Sequence, residues 1–150
     1  MRNANEAFVK YSFASPGWLA AIHGIIVERA AWESKTKPNL HMSICEVFYN
    51  APPHLSDKDG KIAWSCVIAG GKVDFQLRER DDVRFKVLGD YEAIVPLGRF
   101  DTKGDPARAA ELAALGAATR AAGKLRTIGQ RPDDADAMTS VHDAIARLTA

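Results

Sequence analysis

Apolar positions along the chain recur first at helical spacing and then by alternation. Ser15-Pro16 opens a helix: serine caps well, and proline at the first helical position gives up an N–H that has no partner there anyway. Trp18, Leu19, Ile22, Ile25, Ile26 and Ala30 follow on one side, with Glu28, Arg29 and Glu33 mainly on the other. Lys37-Pro38-Asn39 ends the segment. His41 to Tyr49 alternates as a strand, placing Met42, Ile44, Glu46 and Phe48 on one face and His41, Ser43, Cys45, Val47 and Tyr49 on the other. Pro52-Pro53 removes two ladder donors, so Asn50 to Asp57 reads as a loop.

Gly70-Gly71 is a two-residue hairpin turn, which sets Ala69 opposite Lys72. Counting outward pairs Ile68 with Val73, Cys66 with Phe75 and Trp64 with Leu77 on one face. Val67 with Asp74, Ser65 with Gln76 and Ala63 with Arg78 take the other. A slip of one residue would mix the two sets, so turn and pattern specify the same register. Glu79 to Asp82 is a turn, and Val83, Phe85 and Val87 mark a third alternating strand. Asp90 can cap a short helix through Leu97, although Pro96 sits too deep for a comfortable continuous one.

After the polar connector Arg99 to Gly104, Asp105-Pro106 opens a second clear helix that stops at Gly123. Its many alanines favour the helix but leave a slim apolar stripe, which permits close packing or leaves room beneath. Lys124 to Gly129 suits one more strand. Asp133 or Asp134 then caps a last helix with the stripe Met138, Val141, Ile145 and Leu148. Nothing along residues 1–150 reads as a linker or a repeat, so one domain is expected.

Composition narrows the function classes. Of 150 residues, 47% are hydrophobic and 26% charged, enough apolar material for a proper core. A net charge of +1 gives no electrostatic reason to expect nucleic acid as a partner. The cations Arg78, Arg80, Arg84 and Lys86 alternate with Glu79, Asp81 and Asp82, the mark of a solvated face. Cys45 and Cys66 read as buried thiols in a reducing compartment, although neighbouring strands in register could bridge them. No signal-like apolar run opens the chain and no stretch reaches the ~20 apolar residues of a membrane span, so a cytoplasmic location is expected.

Three segments carry a family resemblance: Gly70-Gly71-Lys72-Val73-Asp74-Phe75, then Asp82 through Gly89-Asp90-Tyr91-Glu92, then Ala122-Gly123-Lys124-Leu125-Arg126-Thr127-Ile128-Gly129. In that order and spacing, over about the C-terminal two-thirds of the chain, they resemble the sterol carrier protein family. The proline-rich loop at Pro52-Pro53, Pro96 and the extended connector before Asp105 depart from it. The resemblance implies an α+β fold, a single mixed five-stranded sheet with helices packed on one face and a hydrophobic tunnel between the two layers. The residues support that layering independently. The face Trp64, Cys66, Ile68, Val73, Phe75 and Leu77 must be buried against something apolar, and the first and last helices have suitable stripes.

Catalytic signatures are missing from the sequence: no metal-spaced His or Cys pairs, phosphate loop or nucleophile elbow occurs. His142-Asp143 is a bare dipeptide at the edge of a helical stripe, which suits a satisfied boundary histidine. Glu46 stands out because it shares a face with Met42, Ile44 and Phe48. If that face is the core, the carboxyl is paired or neutral; if Cys45, Val47 and Tyr49 pack inward, it is solvated. His23 borders the core of its helix, either satisfied there or offering a polar handle to a ligand.

The leading reading is a non-enzymatic binder or carrier of a hydrophobic small molecule, fatty acyl or sterol-like, needing no cofactor and no metal. Expected lining residues are Ile22, Met42, Phe48, Trp64, Phe75, Phe85, Met138 and Ile145, with Trp18 and His23 nearer the mouth. The alternative is a small enzyme using Glu46 and His23 as an acid–base pair on an apolar substrate in the same pocket. A module with a filled core is a third reading, and a homodimer is left open.

Overall fold

A computed structural model describes residues 9–131 and 135–150, with only the backbone described for residues 135–139. Met138 as a side chain, and Asp133 and Asp134 as caps, therefore lie outside the described residues.

Helix α1 (Pro16–Ser34) starts where its cap predicts, with Ser15 Oγ accepting from the Trp18 N–H at 3.3 Å. Strands β1 (His41–Tyr49), β2 (Ile62–Ala69), β3 (Lys72–Gln76) and β4 (Phe85–Asp90) follow. Then come α2 (Tyr91–Gly98), α3 (Pro106–Ala121), β5 (Leu125–Gly129) and α4 (Ala135–Arg147). Asp105 caps α3 by accepting from the Ala107 N–H at 2.9 Å. Pro96 falls in the last turn of α2, so only an eight-residue helix forms before the chain turns away.

The sheet has five strands in the order β3-β2-β1-β4-β5. β1 pairs antiparallel with β2 and parallel with β4, and the outer pairs are antiparallel, so the sheet is mixed. The Gly70-Gly71 hairpin takes the register counted from its turn, from Ala69↔Lys72 to Ser65↔Gln76. It stops there, whereas the sequence predicts two further pairs. Leu77 does not sit opposite Trp64 but is 65% exposed.

The reason is topological. β3 lies three strand spacings from β4, and residues 77–84 must cross beneath β2 and β1 to reach it. The two strands are staggered: Gln76 is level with Ser65 and Cys45, while Phe85 is level with Ile44. The crossing is thus nearly straight, about 14 Å at ~4.8 Å per strand. Eight residues can span up to ~26 Å, so no crossover helix is needed. A longer β3 would force the chain to double back.

This crossing lies flat on one face of the sheet. The Arg80 N–H donates to Cys45 Sγ at 3.5 Å and the Arg84 N–H to Ser43 Oγ at 2.8 Å. Lys86 pairs with Glu79 and Asp81, each at 2.7 Å, and Val83 packs on Cys45, Val47 and Leu88. The mixed charges read from sequence as a solvated face thus include an internal clasp. Cys45 and Cys66 sit on neighbouring strands one register position apart, Cys45 opposite Ser65 and Cys66 opposite Ile44. They therefore point to opposite faces and both are free thiols.

The other face carries the main core and the helices. Phe13 is its hub, with ring centroids 4.7 Å from Trp18, 4.9 Å from Phe48 and 5.7 Å from Tyr91. The Tyr91 hydroxyl donates to the Phe13 carbonyl at 2.7 Å. The Trp18 indole donates to Thr149 Oγ1 at 3.0 Å, tying α1 to the chain after α4. Glycines permit close approach here: a Cβ on Gly98 would stand 2.6 Å from the Phe13 ring, and one on Gly89 would collide with Ile94.

Gly116 is the opposite case, a helical glycine where a Cβ would meet nothing within 4 Å. Gly89→Ala is therefore expected to destabilise the fold by about 1–3 kcal/mol. Gly116→Ala is expected to stabilise it by about 0.5–1 kcal/mol. Denaturant midpoints of the two variants check both signs.

Candidate functional site

Although α1, α2 and α4 contribute residues to the main core, α3 buries only Thr119. Its inward positions Ala109 and Ala113 stay exposed, and Gly116 only half-buried, although all three face the apolar side of the sheet. α3 reaches the sheet at β5 and stands off the rest of it, which leaves a void partly open to solvent. It is a cavity of about 680 Å³, within the ~300–1,000 Å³ usual for small-molecule sites.

Its floor is the inner face of four strands: Met42, Ile44 and Glu46 from β1, Trp64 and Cys66 from β2, Phe85 and Val87 from β4, Leu125 and Thr127 from β5. Trp18, Ile26 and Ala30 of α1, Ile94 and Leu97 of α2, and Val141 and Ile145 of α4 close the sides. The exposed Arg120 and Arg131 border it beside β5, and Arg29 and Glu33 border it at α1, paired at 2.9 Å.

Of the residues expected from sequence, Trp18, Met42, Trp64, Phe85 and Ile145 border the cavity. Ile22, Phe48, Phe75 and His23 do not. Ile22 and Phe48 are sealed in the solid core around Phe13. Phe75 lies between two rings, its centroid 5.5 Å from Trp64 and 4.5 Å from an exposed His23 that lies almost parallel to it. The interface between the layers is thus divided, filled under α1 and hollow under α3.

Glu46 settles the question its strand posed, because its carboxyl faces the helices. Trp64 stands directly across from it on β2, and the Trp64 indole N–H donates to Glu46 Oε2 at 3.0 Å. The side chain is half-buried and lines the cavity. Burial pushes the carboxyl up to about 7, the indole hydrogen bond offsetting only part of the rise. Cys66, on the same floor, is pushed up to about 12 by burial, an inert thiol at neutral pH. His23 does not share this cavity, so the acid–base pairing of Glu46 with His23 has no geometric support.

At one end His142 is the satisfied boundary histidine that the sequence suggests, while the pairing of Asp143 with Thr102 escaped sequence reasoning. Asp143 accepts from the Thr102 N–H at 2.9 Å and from the Thr102 hydroxyl at 2.6 Å, and His142 Nε2 lies 2.9 Å from the Phe100 carbonyl. The bare dipeptide therefore clamps the connector 99–104 onto α4. Burial pushes the Asp143 carboxyl upward, but the two Thr102 hydrogen bonds, with His142 and Arg147 nearby, bring it net below its ordinary value. Only an acidic residue between the stripe positions Val141 and Ile145 hinted at this.

No family model and no curated protein matches the chain. Solved structures do, and they define its class: this is the sterol carrier protein fold. The crystal structure of sterol carrier protein 2 aligns over 93% of this chain and all of its own, at 12% identity and a TM-score of 0.51. The solution structure of a conserved Thermus thermophilus protein, regarded as a candidate sterol carrier protein, aligns over 96% of each chain at 12% identity and the same TM-score of 0.51. A UbiJ ubiquinone synthesis protein aligns over 87% of this chain and 96% of its own at 13% identity, with a TM-score of 0.46. At these identities the likeness establishes fold alone.

The two carboxyls act on stability in opposite senses. Glu46 has a raised folded value, so its contribution is fully present below pH 4.5 and is lost as pH climbs to about 7, a change on the order of 3 kcal/mol. Asp143 has a lowered one, so its contribution is present above its unfolded value and is lost as pH falls through the folded one. Glu46→Gln is expected to abolish the decline between pH 4.5 and 7, read from denaturant unfolding at stepped pH. Asp143→Ala is expected to cost about 1–3 kcal/mol at neutral pH by stranding the buried Thr102 donors, read the same way.

Proposed function

We propose that the chain is a non-enzymatic carrier or binder of a hydrophobic small molecule, a fatty acyl chain or a sterol-like ring system. One observation carries the reading: α3 holds small residues, Ala109, Ala113 and Gly116, over the apolar floor formed by Phe85, Val87 and Leu125 without filling the space between. A core that served stability alone would close there, since each unfilled methylene volume forfeits contact energy. The same void favours this reading over a filled-core interaction module.

Binding by burial needs no charged recognition. Each methylene withdrawn from water contributes about 0.8 kcal/mol, so a long chain is held by length alone. Trp18, Met42, Trp64, Phe85 and Ile145 supply the wall contacts. Among the described residues no helix is long and apolar enough to cross a membrane. The two free thiols suit a reducing, cytoplasmic setting for the proposed carrier.

Ala113 is an exposed position on the cavity side of α3, so a large residue there can occupy the void without displacing core. Native mass spectrometry of freshly purified wild-type protein is expected to show a stoichiometric co-purified lipid, and Ala113→Trp is expected to lose it while unfolding cooperatively. A wild-type protein that is empty and takes up no added amphiphile would sink the proposal.

A further inference from the structure

Glu46 puts a carboxyl on a stretch of the cavity floor that is otherwise apolar, among Met42, Ile44, Trp64 and Val87. Its Oε2 is occupied by the Trp64 N–H, but among the described residues Oε1 has no donor. That oxygen belongs to a carboxyl on the floor, flanked across β1 by Trp64 and Val87. The Glu46 side chain is only partly buried, so a donor seated in the cavity can reach that oxygen and replace the hydration its partial burial removes. Among the described residues no charged side chain pairs with Glu46: Arg29 lines the same cavity but pairs with Glu33 and leaves its buried Nε unpartnered, and Arg120 and Arg131 are exposed at the border beside β5.

From this geometry, and resting on the carrier reading above, we infer that the cavity takes an amphiphile whose polar group donates a hydrogen bond, a hydroxyl or an ammonium, seated deep against Glu46 with its apolar body running outward. With Glu46 ionised, as at pH 8, a carboxylate head is disfavoured at this position, because two anionic acceptors would face each other. Selectivity then comes from the floor of the sheet, while affinity comes from the walls. Trp64 is the positioning residue: its indole fixes one carboxyl oxygen and so turns the other toward the ligand.

Three probes of equal chain length separate the possibilities: dodecanol, dodecylamine and dodecanoate, titrated by calorimetry at pH 8. The alcohol and the amine are expected to bind at least tenfold more tightly than the carboxylate. Glu46→Leu, with its fold verified by cooperative unfolding, is expected to weaken both donors at least tenfold and leave dodecanoate unchanged or tighter. Glu46→Gln retains an acceptor but not the charge, so it should weaken the amine more than the alcohol, which assigns the source of the donor. Dodecanoate binding as tightly as dodecanol to the wild type would overturn the inference. So would dodecanoate binding that Arg120→Gln and Arg131→Gln abolish, which would put an anionic head at the border. Failure of all three probes to bind would overturn the carrier reading and this inference with it, whereas equal binding of all three that Ala113→Trp abolishes would overturn the inference alone.

Discussion

The parallel pairing of β1 with β4 is the constraint on which the rest of the molecule depends. It places strands that are far apart in sequence side by side, and it obliges the chain to cross beneath two others to get there. Because β3 ends at the level where β4 begins, eight residues suffice, and they lie flat against the sheet. One face is thereby covered without a helix. Every helical stripe is left for the other face, and the three central strands bury residues on both sides. The layered design, and the space within it, follow from that short crossing.

Where a local rule governed the outcome, the fold was legible in the amino-acid pattern. Ser15-Pro16 and Asp105-Pro106 each marked a helix start, and Gly70-Gly71 fixed a hairpin register that the sheet adopts. The end of β3 was not legible, because Leu77 and Arg78 continue the alternation and only the route to β4 stops it. The orientation of β1 was ambiguous for a related reason: a strand buried on both faces carries apolar residues at both parities, so alternation cannot tell which face meets the helices.

The site was legible in part, and the division has a physical basis. Aromatic residues in a wall and in a core look the same in one dimension. Whether Phe48 or Phe85 meets empty space depends on which helix lies above it. Phe48 packs on Phe13, while Phe85 lies among the residues opposite α3. The alanine-rich stripe held the information, since small residues either permit close packing or leave a gap, but choosing between them required the height of the helix above the sheet. Asp143 was missed because a single acid on an amphipathic helix carries no pattern, and its partner Thr102 is 41 residues away.

The placement of the two cysteines gives the sheet a distinct chemical marker on each side. The Cys66 thiol belongs to the cavity floor, and the Cys45 thiol is sealed beneath the crossing segment. Burial raises both above the ordinary thiol range, so neither reacts until its own cover lifts. A thiol reagent therefore reads two separate opening events: one as the helical layer lifts from the cavity, the other as the strap of residues 77–84 peels away. The ratio of the two labelling rates reports which layer of the molecule breathes first.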